Sequence, residues 1–455
     1  MKNPSPLRSR TAPPQAEAGS KQRHKEHRES EKQSRNRFAF LRVLCVFVVW
    51  IPVFPEFVTG LTVEARQHMA IDRAIRLKKL PPYLFAEIDK KKKAALKDGR
   101  DVINLGVGDP DQPTPDFIIE ALNRAAHDPK NHQYALDEGS PELRRAIADW
   151  YRKRFGVSLN PESEVLPLIG TKEGIAHLPL AVVDPGDVCL VPEPCYPPYR
   201  SGTIFAGGVP VYMDLTLEND FLPDLDAIDP RAADAAKIIY VNYPNNPTAA
   251  VAGMGFYERL VAFANKHDVL ICSDLAYSEM CYEEKTHSAL EAAGAKDVTI
   301  EMHSLSKTFN MTGWRIGFAV GNKDAVGALA KLKSNLDSGI FGAIQDAAIV
   351  ALQDESDFVP NLIEMYRRRR DALVDGLRGL GWNVNRPGAT FYVWMQVPQG
   401  CTSEEFCTKL LEDADIVMTP GNGFGRPGEG FARAALTVSE DRIKEAVERI
   451  RKLEF

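Results

Sequence analysis

Seven short apolar runs alternate with segments of helical periodicity between residues 165 and 320. The runs are rich in β-branched residues and too short for helices, which indicates strands buried on both faces. Their alternation with helices, such as the one expected over 256–267, predicts an α/β layered domain on a mainly parallel, seven-stranded sheet. Ligands of such sheets bind at the carboxyl ends of the strands. The runs cover residues 165–169, 188–191, 209–213, 237–242, 269–273, 299–304 and 317–320.

The C-terminal part of the chain has a different pattern. Helical periodicity runs from residue 346 to residue 380, strand-like segments follow at 390–397 and 431–438, and a last helix is expected over 440–453. This order predicts a smaller α+β domain. We expect four segments in all: a tail with an apolar segment (1–65), an N-terminal arm with part of the small domain (66–115), the large domain (116–345) and the small C-terminal domain (346–455).

The charge of the chain is unevenly distributed. Residues 1–37 hold ten Lys and Arg and four Glu, a net charge of +6, so the remaining residues carry −12 and the whole chain −6. The acidic body argues against nucleic acid as a partner. With 44% hydrophobic and 26% charged residues, the composition excludes a wholly disordered, a collagen-like or a many-span membrane protein.

The first residues belong to neither domain pattern. Residues 1–37 are polar and without apolar periodicity, which is typical of disorder. The apolar segment 38–54 is interrupted by Arg42 and Pro52, and its uncharged stretch is shorter than the roughly 18–20 residues of a spanning helix. Two interpretations stay open: a targeting or membrane-anchoring segment, or dispensable sequence upstream of a start at Met69. Membrane contact is expected only if the segment is an anchor.

The seven cysteines are an odd number and contain no CxxC pair. This argues against a disulfide framework and a zinc site, and it favours a reducing, cytoplasmic compartment. We expect the cysteines to be small buried apolar residues, and we predict no metal centre.

Four consecutive lysines, Lys90–Lys93, form the densest cationic run of the body. We predict that they form the solvated face of a helix rather than a phosphate or membrane site.

The segment most informative about chemistry is SLSKTFNMTGWRIG, residues 304–317, directly after an apolar strand. Lys307 lies between small hydroxyl residues, with Arg315 eight residues further on. This arrangement suits a cofactor with an aldehyde and a phosphate, because the lysine amine can form a Schiff base if its pKa is depressed. Ser304, Ser306 and Arg315 are candidates for binding the phosphate, the arginine with a fork of donors.

The complete segment resembles the lysine motif of the class I and II aminotransferases, pyridoxal-phosphate enzymes of the aspartate-aminotransferase-like fold (fold type I). The resemblance extends from about residue 80 to the C-terminus and is strongest to the bacterial LL-diaminopimelate aminotransferases. It implies pyridoxal 5′-phosphate as the cofactor, bound in the large domain, and a homodimer with shared active sites. The other motifs that carry it are NLGVGDPDQPTPD (104–116), LIGTKEGIAHLPLA (168–181), NYPNNPT (242–248), KSNLDSGIFGAIQDAAI (333–349) and TPGNGFG (419–425).

The resemblance implies roles for residues around the cofactor ring. Asp274 is expected to pair with the pyridinium nitrogen and keep the ring protonated. Tyr277 is expected to hydrogen-bond the phenolic oxygen, which Asn246 shares with the substrate carboxylate, and Tyr196 is expected to stack on the ring. Lys307, Asp274 and Tyr277 are therefore the predicted catalytic residues.

The resemblance also implies a phosphate site at Thr171 and Lys172. A strand ends and a helix begins there, so that backbone N–H groups can bind an anion. The hydroxyl and arginine side chains of the lysine motif complete this site. Tyr134 is implied to reach the phosphate of the neighbouring subunit's cofactor.

Four further residues are implied to contact the substrate. Arg433 resembles the arginine that binds the α-carboxylate through a bidentate pair. Gly108, Tyr83 and Asn335 resemble substrate-contacting positions, with Asn335 reaching the site from the partner subunit.

The chain departs from the family pattern at three positions. Ala249 stands where Gly is usual, Thr171 where Ser is frequent, and Ala434 where Ile or Leu follows the arginine. Ala249 puts the geometry of the turn after Asn246 in doubt, and it occurs in some alanine-forming relatives.

The implied reaction is a two-half transamination with ping-pong kinetics. The substrates implied are LL-diaminopimelate and 2-oxoglutarate, in lysine biosynthesis, with polar groups near Tyr83 and Asn335 reading the second amino-acid end. An alanine/glutamate-type aminotransferase is the alternative. A cofactor-binding transcription regulator is a remote one, because it needs a winged-helix module that residues 1–65 do not supply.

Overall fold

The computed structural model describes residues 72–80, 84–283 and 285–455, without the side chains of 84–88. The chain separates into two units, residues 1–72 and 73–455. The expectations for the tail, the apolar segment 38–54 and Tyr83 lie outside the described residues. Within the described ranges, no helix combines the length and the apolar character that crossing a membrane requires. The four-segment division stays a prediction.

All seven runs predicted as strands form strands, and their bounds agree within two residues. The strands of the described chain are β1 (Ile103–Asn104), β2 (Val165–Leu168), β3 (Val188–Glu193), β4 (Val209–Asp214), β5 (Ala236–Asn242), β6 (Leu270–Asp274), β7 (Thr299–Ser304), β8 (Gly317–Gly321), β9 (Tyr392–Gln396), β10 (Ile416–Val417), β11 (Thr419–Pro420) and β12 (Phe431–Ala435).

Helices precede and follow most of these strands, as the periodicity predicts. The α-helices of the described chain are α1 (Ile75–Lys78), α2 (Leu84–Lys97), α3 (Asp116–Ala126), α4 (Pro141–Phe155), α5 (Thr171–Val182), α6 (Pro198–Phe205), α7 (Pro230–Ala235), α8 (Met254–His267), α9 (Leu305–Thr308), α10 (Lys323–Lys333), α11 (Gly342–Leu352), α12 (Phe358–Gly379), α13 (Ser403–Ala414) and α14 (Glu440–Ile450).

The seven predicted strands form one sheet in the order β2-β8-β7-β6-β5-β3-β4. Strand β8 is antiparallel to both neighbours, and the remaining pairs are parallel. The reversal at β8 follows from its short connection to β7, since a parallel crossover needs about a dozen residues or more and usually a full helix. The sheet is therefore mainly parallel, as predicted.

Both faces of this sheet are covered by helices, which explains why its strands are apolar without alternation. On β6, Cys272 packs among residues of α5 and α10, whereas its neighbour Ile271 packs among residues of α8. Successive side chains of a strand point to opposite faces, so both must be buried.

The C-terminal part forms a smaller α+β assembly, in agreement with its pattern. Strands β11, β12 and β9 make an antiparallel sheet, and β1 pairs in parallel with β10. Helices α12, α13 and α14 pack against these strands in one apolar core. Ile103 of β1 belongs to the same core, so the N-terminal arm contributes to this assembly.

The expectation of one continuous helical stretch over 346–380 is wrong. The structure has two helices, α11 and α12, separated at residues 353–357. The Asp354 carboxylate accepts from the Ser356 backbone N–H and hydroxyl, and Ser356 Oγ accepts from the Phe358 N–H. These bonds favour a turn over helix continuation, and Pro360 in the first turn of α12 suits a helix start.

Four of the six described cysteines, Cys189, Cys195, Cys272 and Cys407, are buried, as expected of small apolar residues. Burial raises the pKa of the Cys189 thiol to about 11 and that of Cys195 to about 12. These thiols are therefore protonated and inert at neutral pH.

Candidate active site

A cavity of about 660 Å³ lies where strands β5, β6 and β7 end. Asn242, Asp274 and Ser304, the last residues of these strands, line one wall. Tyr392 and Arg433, from the small antiparallel sheet, line another wall. Twelve sequence-predicted site residues line this cavity: Gly108, Thr171, Lys172, Tyr196, Asn246, Asp274, Tyr277, Ser304, Ser306, Lys307, Arg315 and Arg433.

Lys307 projects into the cavity from the short helix α9. Its Nζ donates to the Gly108 carbonyl over 3.0 Å and lies 5.5 Å from the centre of the Phe391 ring. Burial lowers the pKa of the Lys307 amine to about 8, although the charge of Asp109 opposes this change. The fraction of this amine that is neutral, and therefore nucleophilic, near neutral pH is a minor one, but it is much larger than for an ordinary lysine.

Asp274 is the last residue of β6 and is almost fully buried. Its Oδ2 accepts from the Tyr199 hydroxyl over 2.7 Å, and its Oδ1 accepts from the Ala276 N–H over 3.2 Å. Burial raises the pKa of this carboxyl to about 6, while the two hydrogen bonds favour the ionised form. A cationic ligand group at this position would stabilise the carboxylate.

Tyr277 connects the two walls of the cavity. Its hydroxyl lies 3.0 Å from the Tyr392 hydroxyl, and burial raises the pKa of Tyr277 well above its usual value. A Cβ on Gly108 would lie 2.0 Å from the Tyr392 oxygen, so glycine is required there by the close approach of the tyrosine.

One end of the cavity is built to bind an anion. Lys172 and Arg315 line it beside the hydroxyl residues of the lysine motif. Helix α5 begins at Thr171 behind Gly170, which has no side chain to cap it, so first-turn N–H groups remain for a ligand. Gly170 has φ +79°, and a Cβ there would lie 2.2 Å from Arg315 Nη2. This glycine leaves room for the guanidinium at the helix start.

Arg433, on strand β12, is buried at the cavity. Its Nη1 donates to Asn246 Oδ1 over 2.7 Å and its Nη2 to the Gly106 carbonyl over 2.8 Å. The guanidinium carbon lies 4.2 Å above the Tyr392 ring and 4.7 Å from the Phe424 ring. A buried cation among neutral oxygens and aromatic faces is a strong site for a carboxylate.

Asn246 is held in place by the end of β5. Its N–H donates to Asn242 Oδ1 over 2.8 Å, and Asn242 Nδ2 donates to the Asp274 carbonyl over 2.8 Å. The turn also contains Ala249 at φ +61°, a conformation that favours glycine. The sequence puts the geometry of this turn in doubt because alanine replaces the usual glycine. The structure gives the physical reason: residue 249 keeps a positive φ, although it is an alanine.

Two predicted residues of the described chain, Tyr134 and Asn335, do not line the cavity. Tyr134 is 92% exposed, and Asn335 is exposed with its Nδ2 bonded to the Lys331 carbonyl. Both were expected to act on the neighbouring subunit's site. Tyr83 lies outside the described residues.

Several cavity residues were not singled out by the sequence. Tyr392 lies in an apolar run that also fits a core strand, and Asn242 is one of three asparagines in its motif. The expectation that Lys90–Lys93 is a solvated face is wrong for Lys92, which lines the cavity with Asp89. Lys90, Lys91 and Lys93 are exposed, as expected.

Known proteins resemble the chain along most of its length. The family model "Aminotransferase class I and II" matches residues 100–450. The LL-diaminopimelate aminotransferase of Aquifex aeolicus is 55% identical over 381 residues, 84% of this chain and 98% of the relative. That of Syntrophobacter fumaroxidans is 54% identical over 388 residues, 85% of this chain and all of the relative.

Solved structures resemble it in the same way. Substrate-bound BacF of Bacillus subtilis has a TM-score of 0.81 and 40% identity, covering 84% of this chain and 98% of its own. A mutant aspartate aminotransferase of Thermus thermophilus has a TM-score of 0.79 and 33% identity, covering 84% of this chain and 99% of its own. With its family model matched over most of the sequence and these relatives matched over nearly their whole length, the chain belongs to the class I and II aminotransferases.

Proposed function

We propose that the protein is an LL-diaminopimelate aminotransferase that uses pyridoxal 5′-phosphate and passes the amino group to 2-oxoglutarate in lysine biosynthesis. The observation that carries the proposal is the grouping of Lys307, Asp274 and Arg433 around one cavity that has an anion site at its end. The names of the relatives support the substrate, since both cited LL-diaminopimelate aminotransferases match along 98% or more of their length.

The cavity residues fit pyridoxal phosphate on their own chemistry. A phosphate dianion could accept hydrogen bonds from Thr171, Lys172, Ser304, Ser306 and Arg315. The Arg315 guanidinium lies where a Cβ on residue 170 would be, so glycine at this position leaves room for it. Of the other lining residues, Asp274 suits a protonated ring nitrogen, and Tyr277 and Asn246 suit a phenolic oxygen. Tyr196 lines the cavity where an aromatic face can cover the ring.

When bound, the cofactor supplies an aldehyde for the amino group and a ring that accepts the electrons of the broken C–H bond. The Lys307 amine, with its lowered pKa, would hold the cofactor by its aldehyde group and would move the proton at the substrate α-carbon. Asp274, kept ionised by Tyr199 and the Ala276 N–H, holds the proton on the ring nitrogen. Arg433 and Asn246 orient the α-carboxylate.

We propose that two copies of the chain form the active unit and that it is cytoplasmic. Support for the two-copy unit comes from exposed apolar residues on two segments that touch each other. Their contact is close: a Cβ on Gly339 would lie 2.7 Å from the Leu136 carbonyl. These exposed side chains are Tyr134, Leu136, Leu336 and Phe341. A second copy covering these side chains would agree with the roles that the family resemblance implies for Tyr134 and Asn335 at the neighbouring subunit's site.

An amino-donor panel with the purified full chain tests the proposed substrate. With 2-oxoglutarate as acceptor, we expect LL-diaminopimelate to give the highest kcat/KM among LL-diaminopimelate, alanine and aspartate. If alanine is converted and LL-diaminopimelate is not, the proposed substrate is wrong and the alanine/glutamate-type aminotransferase is favoured.

A further inference from the structure

An ion pair on helix α2 lines the cavity, in a part of the chain that the proposed mechanism does not use. Lys92 Nζ lies 2.9 Å from Asp89 Oδ1, and both side chains line the cavity. We propose that Lys92 and Asp89 contribute the charged groups of the subsite that recognises the distal amino-acid end of the substrate. This inference rests on the proposed function, because it needs a substrate with an amino and a carboxyl group at both ends.

The geometry of the helix separates Lys92 from the lysines around it. Residues three and four apart lie on the same helix face, so Asp89 can reach both Lys92 and Lys93. Lys93 Nζ lies 2.6 Å from Asp89 Oδ2, yet its side chain is 73% exposed and does not line the cavity. The Lys92 side chain is only 19% exposed. The two lysines therefore share a partner but differ in their access to the ligand.

The other cavity-lining cations of the described chain have positions suited to other groups. Lys172 and Arg315 lie at the anion end beside the start of α5, Lys307 bonds the Gly108 carbonyl, and Arg433 bonds Asn246. A second carboxylate on the same substrate needs a further cation. Lys92 is the lining cation that remains for it in the described residues.

The charges of the pair complement a zwitterionic end group. Lys92 can bind the distal carboxylate while Asp89 binds the distal ammonium, so that each charge of the ligand meets its opposite. The two lysines hold the pKa of Asp89 at about 2, so its carboxylate stays ionised throughout the working pH range. For 2-oxoglutarate, which has a second carboxylate but no ammonium, only Lys92 is needed.

The test compares Lys92→Met with Lys93→Met in the cofactor-loaded full chain. We expect Lys92→Met to raise the KM for LL-diaminopimelate and for 2-oxoglutarate about tenfold, equivalent to ~1.4 kcal/mol each, with kcat unchanged. Lys93→Met, which removes a charge from the same carboxylate outside the cavity, should leave both KM values unchanged. Asp89→Asn should raise the KM for LL-diaminopimelate without raising that for 2-oxoglutarate, because it removes the partner of the distal ammonium and leaves Lys92 for the carboxylate.

The outcomes separate the subsite from the proposed function. If the unmodified chain converts LL-diaminopimelate and Lys92→Met behaves like Lys93→Met, the subsite is wrong and the function stands. If the unmodified chain does not convert LL-diaminopimelate, the proposed substrate is wrong. Equal melting temperatures and cofactor absorbance of the variants show that a KM change is not a folding defect.

Discussion

The Tyr199 hydroxyl donates a 2.7 Å hydrogen bond to Asp274 Oδ2 at the buried end of the cavity. Burial raises the pKa of Asp274, and this bond opposes the change by stabilising the carboxylate. Tyr199 lies at the start of α6 and stacks on Tyr240, with ring centres 5.2 Å apart. A residue that does not line the cavity therefore helps to keep one that does in its ionised form.

Tyr199→Phe should move the acid limb of kcat/KM to higher pH, because the pKa of Asp274 rises when its donor is lost. A hydrogen bond to a charged group contributes roughly 1.5–3 kcal/mol, so the limb should move by about 1 pH unit or more. The measurement is a pH–rate profile of the loaded enzyme. Tyr240→Phe is the control, since its buried hydroxyl lacks a hydrogen-bond partner in the described structure. Equal profiles for the two variants would contradict the assignment.

Gly170→Ala should weaken cofactor binding at least tenfold, because the new Cβ would lie 2.2 Å from Arg315 Nη2. Gly186→Ala provides a matched control. Gly186 also has a positive φ, +99°, but a Cβ there meets no atom within 4 Å. Both variants share the backbone strain, and only Gly170→Ala displaces the guanidinium. Titration of the cofactor-free chain with pyridoxal phosphate measures the difference, and equal affinities would refute the role of Gly170.

Ala249→Gly should be more stable than Ala250→Gly by about 1 kcal/mol or more. Ala249 has φ +61°, which costs a non-glycine residue roughly 1–2 kcal/mol, whereas Ala250 does not have a positive φ. Each substitution removes one methyl group and raises the conformational entropy of the unfolded chain by the same amount. The difference in stability between the two variants therefore reports the cost of the positive φ at residue 249. Urea denaturation of both variants gives the two free energies of unfolding. Equal values would show that the turn is not strained.

Lys333→Met should destabilise the protein by about 3 kcal/mol, the lower end of the range for breaking a buried pair, because it leaves two partly buried acids without their cation. Lys333 is fully buried, with Nζ 3.1 Å from Glu173 and 2.7 Å from Asp337. Glu173 Oε2 accepts from the Ile169 N–H just before the anion site, so cofactor affinity should fall as well. Lys331→Met, on an exposed position of the same helix, is the control and should match the unmodified chain in urea denaturation. A loss of affinity in both variants would contradict this account.

The strands of the large sheet could be predicted because their signal is local. A run such as 237–242 has its β-branched, apolar character in consecutive residues, and its strand ends at Asn242 as expected. Strands β1, β10 and β11 could not be predicted, since two residues carry no period. They exist through pairing with distant partners, Ile103 with Ile416 and Thr419 with Arg433.

The site could be predicted where one motif carries the chemistry and not where partners are distant in sequence. Lys307 and Arg315 lie in one segment, and the resemblance places Arg433 beside them. The contact of Tyr277 with Tyr392 joins residues 115 positions apart, so the sequence around either residue does not predict it. Lys92 was misjudged for a related reason: a run of four lysines looks uniform in sequence, but only one turns toward the cavity.

Transfer of labelled nitrogen tests the central claim most directly. The purified full chain is incubated with pyridoxal phosphate, LL-diaminopimelate carrying a labelled amino nitrogen, and 2-oxoglutarate, in parallel with Lys307→Ala. We predict labelled glutamate from the unmodified chain and none from Lys307→Ala, because the amine that moves the α-proton is gone. Labelled glutamate formed by Lys307→Ala at the rate of the unmodified chain would contradict the account.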